Sequence, residues 1–424
     1  MERHPKLPKW DILIRSACMV CEDAEITLFF TSATTQSDLS PMKIVLAPNA
    51  LKGCLTATQA AEAMARGVVR ACPNAEITRV PVADGGDGLA DVLLNALNGE
   101  ARTVTVTGPR GDPVPATFCH VSARRLAAIE MATASGLALL PRDRLDPMLT
   151  TTLGTGELIA AALDLGISHL VIGIGGSATN DGGIGMATAL GARFLDKNDN
   201  PVEPIGGALA AIERIDLDGL DPRLNGLRVE AICDVDNPLL GEHGAAHVYA
   251  PQKGATPEQV RALEAGLAHL AMVIERDLGW DVRELPGAGA AGGLGAGLKA
   301  FLNAELRRGV DLVLDLIGLD EQLRGADLVL TAEGQIDFQT AFGKAPAGVA
   351  ERARTLGIPC IAIAGSVGGG LESLYERGID AVFSLCPGPV SLEQAMAAGG
   401  DYLAAATEQA VRAFLAGRRR ATAG

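Results

Sequence analysis

TVTVTGPRGDPVPATFCHV, residues 103–121, alternates apolar and polar side chains on both sides of a Gly/Pro/Asp turn. A period of two closed by a tight turn is the signature of a β-hairpin. It decides the fold, because the chain on either side keeps a different rhythm. Upstream, KIVLAP (43–48) opens a strand, and Thr56 with Gln59 forms a T-x-x-Q capping box ahead of apolar positions 60, 63, 64, 67, 68 and 71, a helix that Pro73 ends. ITRVPV (77–82) is a second strand, ADGGDG (83–88) its loop and LADVLLNAL (89–97) the next helix. Downstream the alternation returns near Ala326 with DLVL, a helix from Pro346, PCIAIA (359–364), a helix over LESLYERG (371–378), AVFSL (381–385) and a terminal helix from about Ser391. Five parallel strands with intervening helices predict an α/β protein: a flavodoxin-like parallel-sheet domain built from 42–100 and 325–424, with a second mixed α/β domain, 101–324, inserted into it. Residues 1–41 show no sustained period and read as a leader outside the fold.

Composition limits the partners. The chain has 424 residues, enough for two or three domains at about 150 residues each. Hydrophobic residues make up 48% and aromatics only 3%, so the core is expected to be built from Ala, Val, Leu and Ile with closely packed helices. A formal charge of -15 repels nucleic acid and anionic membranes, and a bound polyphosphate would have to be met by local N–H groups, a few lysines or a metal held by carboxylates. The eight cysteines lie mostly in apolar runs, which suits small core residues in a reducing compartment. Of these only Cys18 and Cys21 have ligand-like spacing, and no second pair accompanies them. The Gly/Ala-rich stretch 285–298 is too short to span a bilayer, and no signal-peptide layout is present, so the expected location is the cytoplasm.

In an open α/β sheet, ligands bind beyond the carboxyl ends of the strands. Four loops put polar and glycine residues at that edge of the flavodoxin-like part: APNALKG with Lys52, ADGGDG with Asp84 and Asp87, AEGQID with Glu333 and Asp337, and AGSVGGG with Ser366. In the insert, GIGGSATNDGGIG (173–185) follows HLVI and gathers Gly175, Gly176, Ser177, Thr179, Asn180 and Asp181, and CDVDNPL with Asp234, Asp236 and Asn237 follows LRVEAI. Such loops also serve merely to turn the chain and cap the next helix: Asp84 could cap the helix near Gly88, and Asp337 could order its own turn. Asp181 is the strongest candidate, set among glycines where Ser177 and Thr179 could donate to phosphate and its carboxylate could reach a cation. GTGELIAA (154–161) reads as a helix N-terminus with Thr155 or Gly156 near the cap. GAGAAG (287–292) matches the dinucleotide pattern G-x-G-x-x-G, yet Pro286 precedes it without a strand, and close helix packing is the simpler reading. His243 and His247 are spaced H-x-x-x-H within a loop-like segment.

APNALKG, VPVADGGDG, TTLGTGELI, GIGGSATNDGG, CDVDNPLLG, APQKGAT, PGAGAAGGLG and TAEGQIDFQTAFGKAP, in this order, resemble the motif series of the type-I bacterial glycerate kinases over about residues 42–416. The resemblance implies an ATP- and Mg2+-dependent kinase acting on D-glycerate at its 2-hydroxyl, with the active site between the two domains. Asn49, Ala50 and Cys54 depart from the usual A-P-D-S-F-K motif, and Ala332 and Gln335 stand where glycine and arginine are common. Phosphoryl transfer needs alignment and charge stabilisation. The expected division of labour has Gly175, Gly176, Ser177, Thr179 and Asn180 cradling ATP, and Asp181 with Asp236 holding Mg2+. Lys52 would neutralise the phosphoryl group or the substrate carboxylate, and Asp84 would orient or deprotonate the hydroxyl in a role that Glu333 could exchange with it. A nicotinamide-dependent dehydrogenase using GAGAAG, and a non-enzymatic organic-acid sensor, are the alternatives.

Overall fold

The helix after the first strand begins where the capping box predicts: Thr56 Oγ1 accepts from Gln59 N at 3.2 Å, Gln59 Oε1 accepts from Thr56 N at 3.0 Å, and the helix runs Ala57–Ala71 with its small residues buried. The computed structural model describes residues 41–83, 89–341 and 343–421. Its strands, in chain order, are β1 (Lys43–Leu46), β2 (Glu76–Arg79), β3 (Glu100–Thr107), β4 (Pro113–Val121), β5 (Leu126–Glu130), β6 (His169–Gly173), β7 (Arg193–Leu195), β8 (Arg214–Asp216), β9 (Arg228–Ile232), β10 (Glu305–Arg307), β11 (Leu328–Ile336), β12 (Cys360–Val367) and β13 (Ala381–Ser384).

The first sheet has the order β2-β1-β11-β12-β13 and is parallel throughout, with Ile44 paired to Ile77 on one side and to Leu328 on the other. Numbered within the sheet that order is 2-1-3-4-5, the flavodoxin-like arrangement. The second sheet runs β3-β4-β5-β6-β9-β10. Its first three strands are antiparallel, beginning with the 103–121 hairpin, and from β5 onward the pairing is parallel. β7 and β8 form a separate antiparallel ribbon. The strands of the first sheet thus come from both sides of the segment that builds the second.

One buried cluster joins the inner faces of both sheets: Val45, Val329 and Ala362 from the first, and Ala128, Val171 and Ile232 from the second. The helices Gly309–Leu316 and Ala345–Thr355 contribute to the same core. Charge follows this path too. Fully buried Glu230 on β9 is bonded by His169, Arg228 and Arg307, Arg307 also bonds Asp315, and Arg352 bonds Asp315 and Asp320. A buried carboxylate kept ionised needs such partners, and these hold the Glu230 carboxyl below its ordinary range despite burial.

Two boundaries differ from expectation. β2 ends at Arg79 and not at Val82, because Pro81 has no N–H for a ladder, although Val80 and Val82 still donate to the carbonyls of Leu46 and Pro48. The GTGELIAA helix begins at Leu153, not near Thr155, because Thr152 already occupies the N-terminal position and is held by a carboxylate from another loop. No helix among the described residues is long and apolar enough to cross a membrane.

Candidate active site

The carboxyl edge of the second sheet carries a hollow lined by two of its post-strand loops. After β6 the chain passes through Ile174, Gly175, Gly176 and Ser177, with Gly176 at φ +72°, a conformation that glycine adopts without a Cβ penalty. Two bonds pin the turn: Leu137 N donates to Gly176 O at 2.8 Å, and Ala178 N donates to Ser135 O at 2.9 Å. Among the described residues the N–H groups of Gly175, Gly176 and Ser177 donate to no backbone carbonyl, and both glycines are exposed. Three successive unspent donors on an αL-containing turn make an anion-binding concavity. They open on a cavity of about 370 Å³ whose other walls include Cys233 and Asp234 after β9, Tyr249, Lys253 and Ala291.

The cavity's back wall explains GAGAAG. Ala291, Gly292 and Gly293 all have positive φ, and a Cβ on Gly292 would stand 2.1 Å from the carbonyl oxygen of Thr179. Gly182 N donates to Gly292 O at 3.1 Å. Two backbones therefore lie against each other, and no strand leads into Pro286, so the segment is a packing element and not a dinucleotide fingerprint.

Asp181 lies beneath this loop, fully buried. It accepts from Thr152 N (2.7 Å), Thr152 Oγ1 (2.8 Å), Gly183 N (3.1 Å) and Gly185 N (3.3 Å), which fastens the starts of the helices Leu153–Leu163 and Ile184–Ala189 to one carboxylate. Burial pushes its carboxyl above the usual range, and the four donors oppose that. Asp181 is not among the cavity-lining residues, and neither is the exposed Asp236. Asp234 is, with its Oδ1 accepting from Gly309 N at 2.8 Å. Thr179 and Asn180 are also fully buried, and Thr179 Oγ1 and both amide atoms of Asn180 have no hydrogen-bond partner among the described residues. Such orphaned groups point to a space that water or ligand completes.

Lys253 is the residue that sequence reasoning missed. Only 1% exposed, it donates from Nζ to Ser177 Oγ at 2.8 Å and to Thr179 O at 2.5 Å. It sits in a short turn, Pro251–Lys253, inside the APQKGAT motif and three residues before the capping-box residue Thr256.

At the edge of the first sheet, Asn49 N donates to Ala332 O at 2.8 Å, and the backbone of Lys52 packs beside Gly334. That sets the Lys52 loop against the end of β11, where Glu333 is 8% exposed and its Oε1 lies 3.7 Å from Lys344 Nζ. Asp337 accepts from Gln339 N and from the Gln335 side chain, the local turn role weighed for it. Ser366 is exposed opposite Gln335. Asp84 and Asp87 lie outside the described residues. The two edges are nevertheless tied together. Glu130, at the end of β5, accepts through Oε1 from Ala90 N at 3.0 Å, at the start of the helix that follows ADGGDG. On the other flank Gly309, held by Asp234, follows Arg308, whose guanidinium fills the space beside Gly343 in the late motif.

The sequence matches the family described as the glycerate kinase family over residues 44–415. The chain belongs to that family. It is 51% identical over 369 residues to a glycerate kinase of Halalkalibacterium halodurans, an alignment covering 87% of this chain and 96% of that protein. Against the glycerate 2-kinase of Escherichia coli it is 44% identical over 380 residues, covering 90% of this chain and 100% of the relative. A crystal structure from Salmonella typhimurium LT2, assigned as a glycerate kinase 2, superposes with a TM-score of 0.83 at 45% identity, covering 90% of this chain and 100% of that one. The protein is therefore an enzyme of the glycerate kinase family, and the flavodoxin-like sheet with its interrupting mixed sheet is that family's architecture. Among its described residues no group of three or more His, Cys, Asp or Glu side chains is arranged to hold a metal ion.

Proposed function

We propose that this kinase transfers the γ-phosphoryl group of ATP to the 2-hydroxyl of D-glycerate, forming 2-phosphoglycerate and ADP, in a crevice between the two sheet edges. The observation that carries the reading is the cradle at Gly175–Ser177: unspent N–H donors, a buried lysine and a cavity at the carboxyl edge of a mostly parallel sheet. The N–H groups hold the phosphate oxygens. Asp234, which lines the cavity, and Asp236, two residues further on, are the carboxylates that would hold Mg2+, which when bound to the phosphates would screen their charge.

From the other edge, Lys52 faces the acceptor side, where it meets the glycerate carboxylate or the transferring phosphoryl group. Asp84, with Glu333 as its neighbour in role, orients the 2-hydroxyl and takes its proton as the new O–P bond forms and the bond to ADP breaks. Asp181 we assign to holding the cradle and not to the metal, since it is fully buried, lies outside the cavity lining and already accepts four hydrogen bonds from two helix starts. The Glu130–Ala90 bond supports a shared crevice, because it fixes the ADGGDG helix to the neighbour of β6. We regard the two halves as domains that close on substrate and exclude water. Six described cysteines are all free thiols, which supports the cytoplasm as the site of action.

The test couples product directly to enolase with no phosphoglycerate mutase present. Phosphoenolpyruvate appearing at once, only with ATP, Mg2+ and D-glycerate, is the expected result. A requirement for mutase would assign the 3-hydroxyl instead, and nicotinamide-dependent turnover without ATP would return the dehydrogenase reading.

A further inference from the structure

Lys253 is a buried lysine, 1% exposed, and the two acceptors of its ammonium, Ser177 Oγ and Thr179 O, are both neutral. The nearest compensating acid in electrostatic terms, Asp181, has its oxygens engaged by Thr152, Gly183 and Gly185. An ammonium carries three donors, and two are spent here. Keeping such a charge out of water is costly unless an anion completes it. The space where an anion can do so is the cavity that Lys253 itself lines, together with the three unspent N–H groups.

We propose that Lys253 is the fixed positive charge that receives the polyphosphate of the nucleotide at the glycine loop. This rests on the reading that ATP phosphates occupy that loop. Lys253 reaches the site from a different element than the cradle, so it also ties the turn before the long helix Pro257–Leu278 to nucleotide occupancy. Burial lowers the pKa of its ammonium to about 7, and a phosphate beside it would restore the ordinary charged state. Ser177 and Thr179 have a second duty here: they aim the ammonium, so the loop's hydroxyl and carbonyl need not touch the ligand.

The experiment is titration calorimetry of the full chain with inorganic triphosphate, adenosine and D-glycerate as separate probes, on the wild type, K253M and K253Q. Glutamine is the second variant because it can still donate to Ser177 and Thr179 without a charge. Triphosphate affinity is expected to fall roughly ten- to a hundredfold in both variants, with adenosine changed less than about twofold. A folded variant that binds triphosphate as the wild type does overturns the proposal, and so does a loss confined to D-glycerate. Failure of both variants to fold would make the lysine a structural tether and overturn it equally. Wild-type turnover of ATP and D-glycerate alongside unchanged triphosphate binding by K253M would sink this inference and leave the kinase reading standing. A wild type that binds no triphosphate would bring down that reading as well.

Discussion

Replacing Asp181 with asparagine separates a structural carboxylate from a metal ligand. In the native protein Oδ2 accepts from Thr152 N, Thr152 Oγ1 and Gly185 N, while Oδ1 accepts from Gly183 N. An asparagine can place its carbonyl oxygen where Oδ2 stands and keep three donors, but its NH2 then confronts the N–H of Gly183. Three charge-assisted bonds, each worth about 1.5–3 kcal/mol, become neutral ones of about 0.5–1.5, and the Gly183 N–H is left facing the new NH2 with both unpaired, at about 1–3 kcal/mol for each group. Relief of the carboxylate's desolvation returns part of this. The net loss is expected at about 2–4 kcal/mol, read as a lower midpoint in urea unfolding. At a temperature where the variant is folded, the Mg2+ concentration for half-maximal rate should stay within about twofold of wild type if, as proposed, phosphates and other carboxylates hold the ion. An unchanged unfolding midpoint together with a Mg2+ requirement raised tenfold or more would refute this, and would restore Asp181 to the metal site.

E130A should lower stability by about 1 kcal/mol and raise KM for D-glycerate, since Ala90 N loses its acceptor across the two sheets, whereas E130Q keeps an acceptor and should stay near wild type; equal KM values in all three would break the link between Glu130 and the substrate edge. G292A puts a methyl group 2.1 Å from the Thr179 carbonyl at φ +69°, and about 2–4 kcal/mol of stability with a matching loss of triphosphate affinity is expected; a variant with wild-type melting would contradict the close approach. Lys253 sets a pH dependence. Its folded-state value of about 7 lies below the ordinary lysine range, so between there and about pH 10 the unfolded chain holds a proton that the folded chain lacks, and unfolding free energy gains up to about 1.4 kcal/mol per pH unit as pH rises. Triphosphate affinity should fall over the same interval, and K253M should flatten both curves; parallel slopes in the two proteins would refute the assignment.

The five strands of the first sheet were legible because each is a short apolar run bounded by turn residues and followed by a period-3.6 helix, and because KIVL, DLVL and PCIAI are buried on both faces. The hairpin at 103–121 was legible for the opposite reason, its strict alternation and its turn. Position beyond a strand's carboxyl end also put Ser177 and Asp234 at one sheet edge, where both line the cavity. What a single chain could not disclose was the state of each acid. Asp181 is spent on donors from residue 152, in a loop 29 residues earlier, and sequence spacing carries no sign of that pairing. Among the glycines around it, two helix N-termini converge on this one carboxylate.

Lys253 escaped notice for a related cause. It belongs to no period, standing in a one-turn segment between the helix Ala245–Tyr249 and the capping box at Thr256, and lysine in such a turn is ordinarily solvated. The signal that could have found it was its company: Pro251 and Gly254 confine the turn, and Gly254, at φ +96°, packs with its would-be Cβ 2.5 Å from the carbonyl of Leu145, so this backbone has no freedom to turn the side chain outward. The same logic joins the two glycine-rich segments that looked like competing fingerprints. GGSATND needs φ > 0 at Gly176 to leave its N–H groups unspent, and GAGAAG needs positive φ at Gly292 to brace that loop from behind. A loop braced on one side by backbone and on the other by a buried ammonium cannot rearrange cheaply, and donors that are fixed before the ligand arrives are what stabilisation of a transferring phosphoryl group requires.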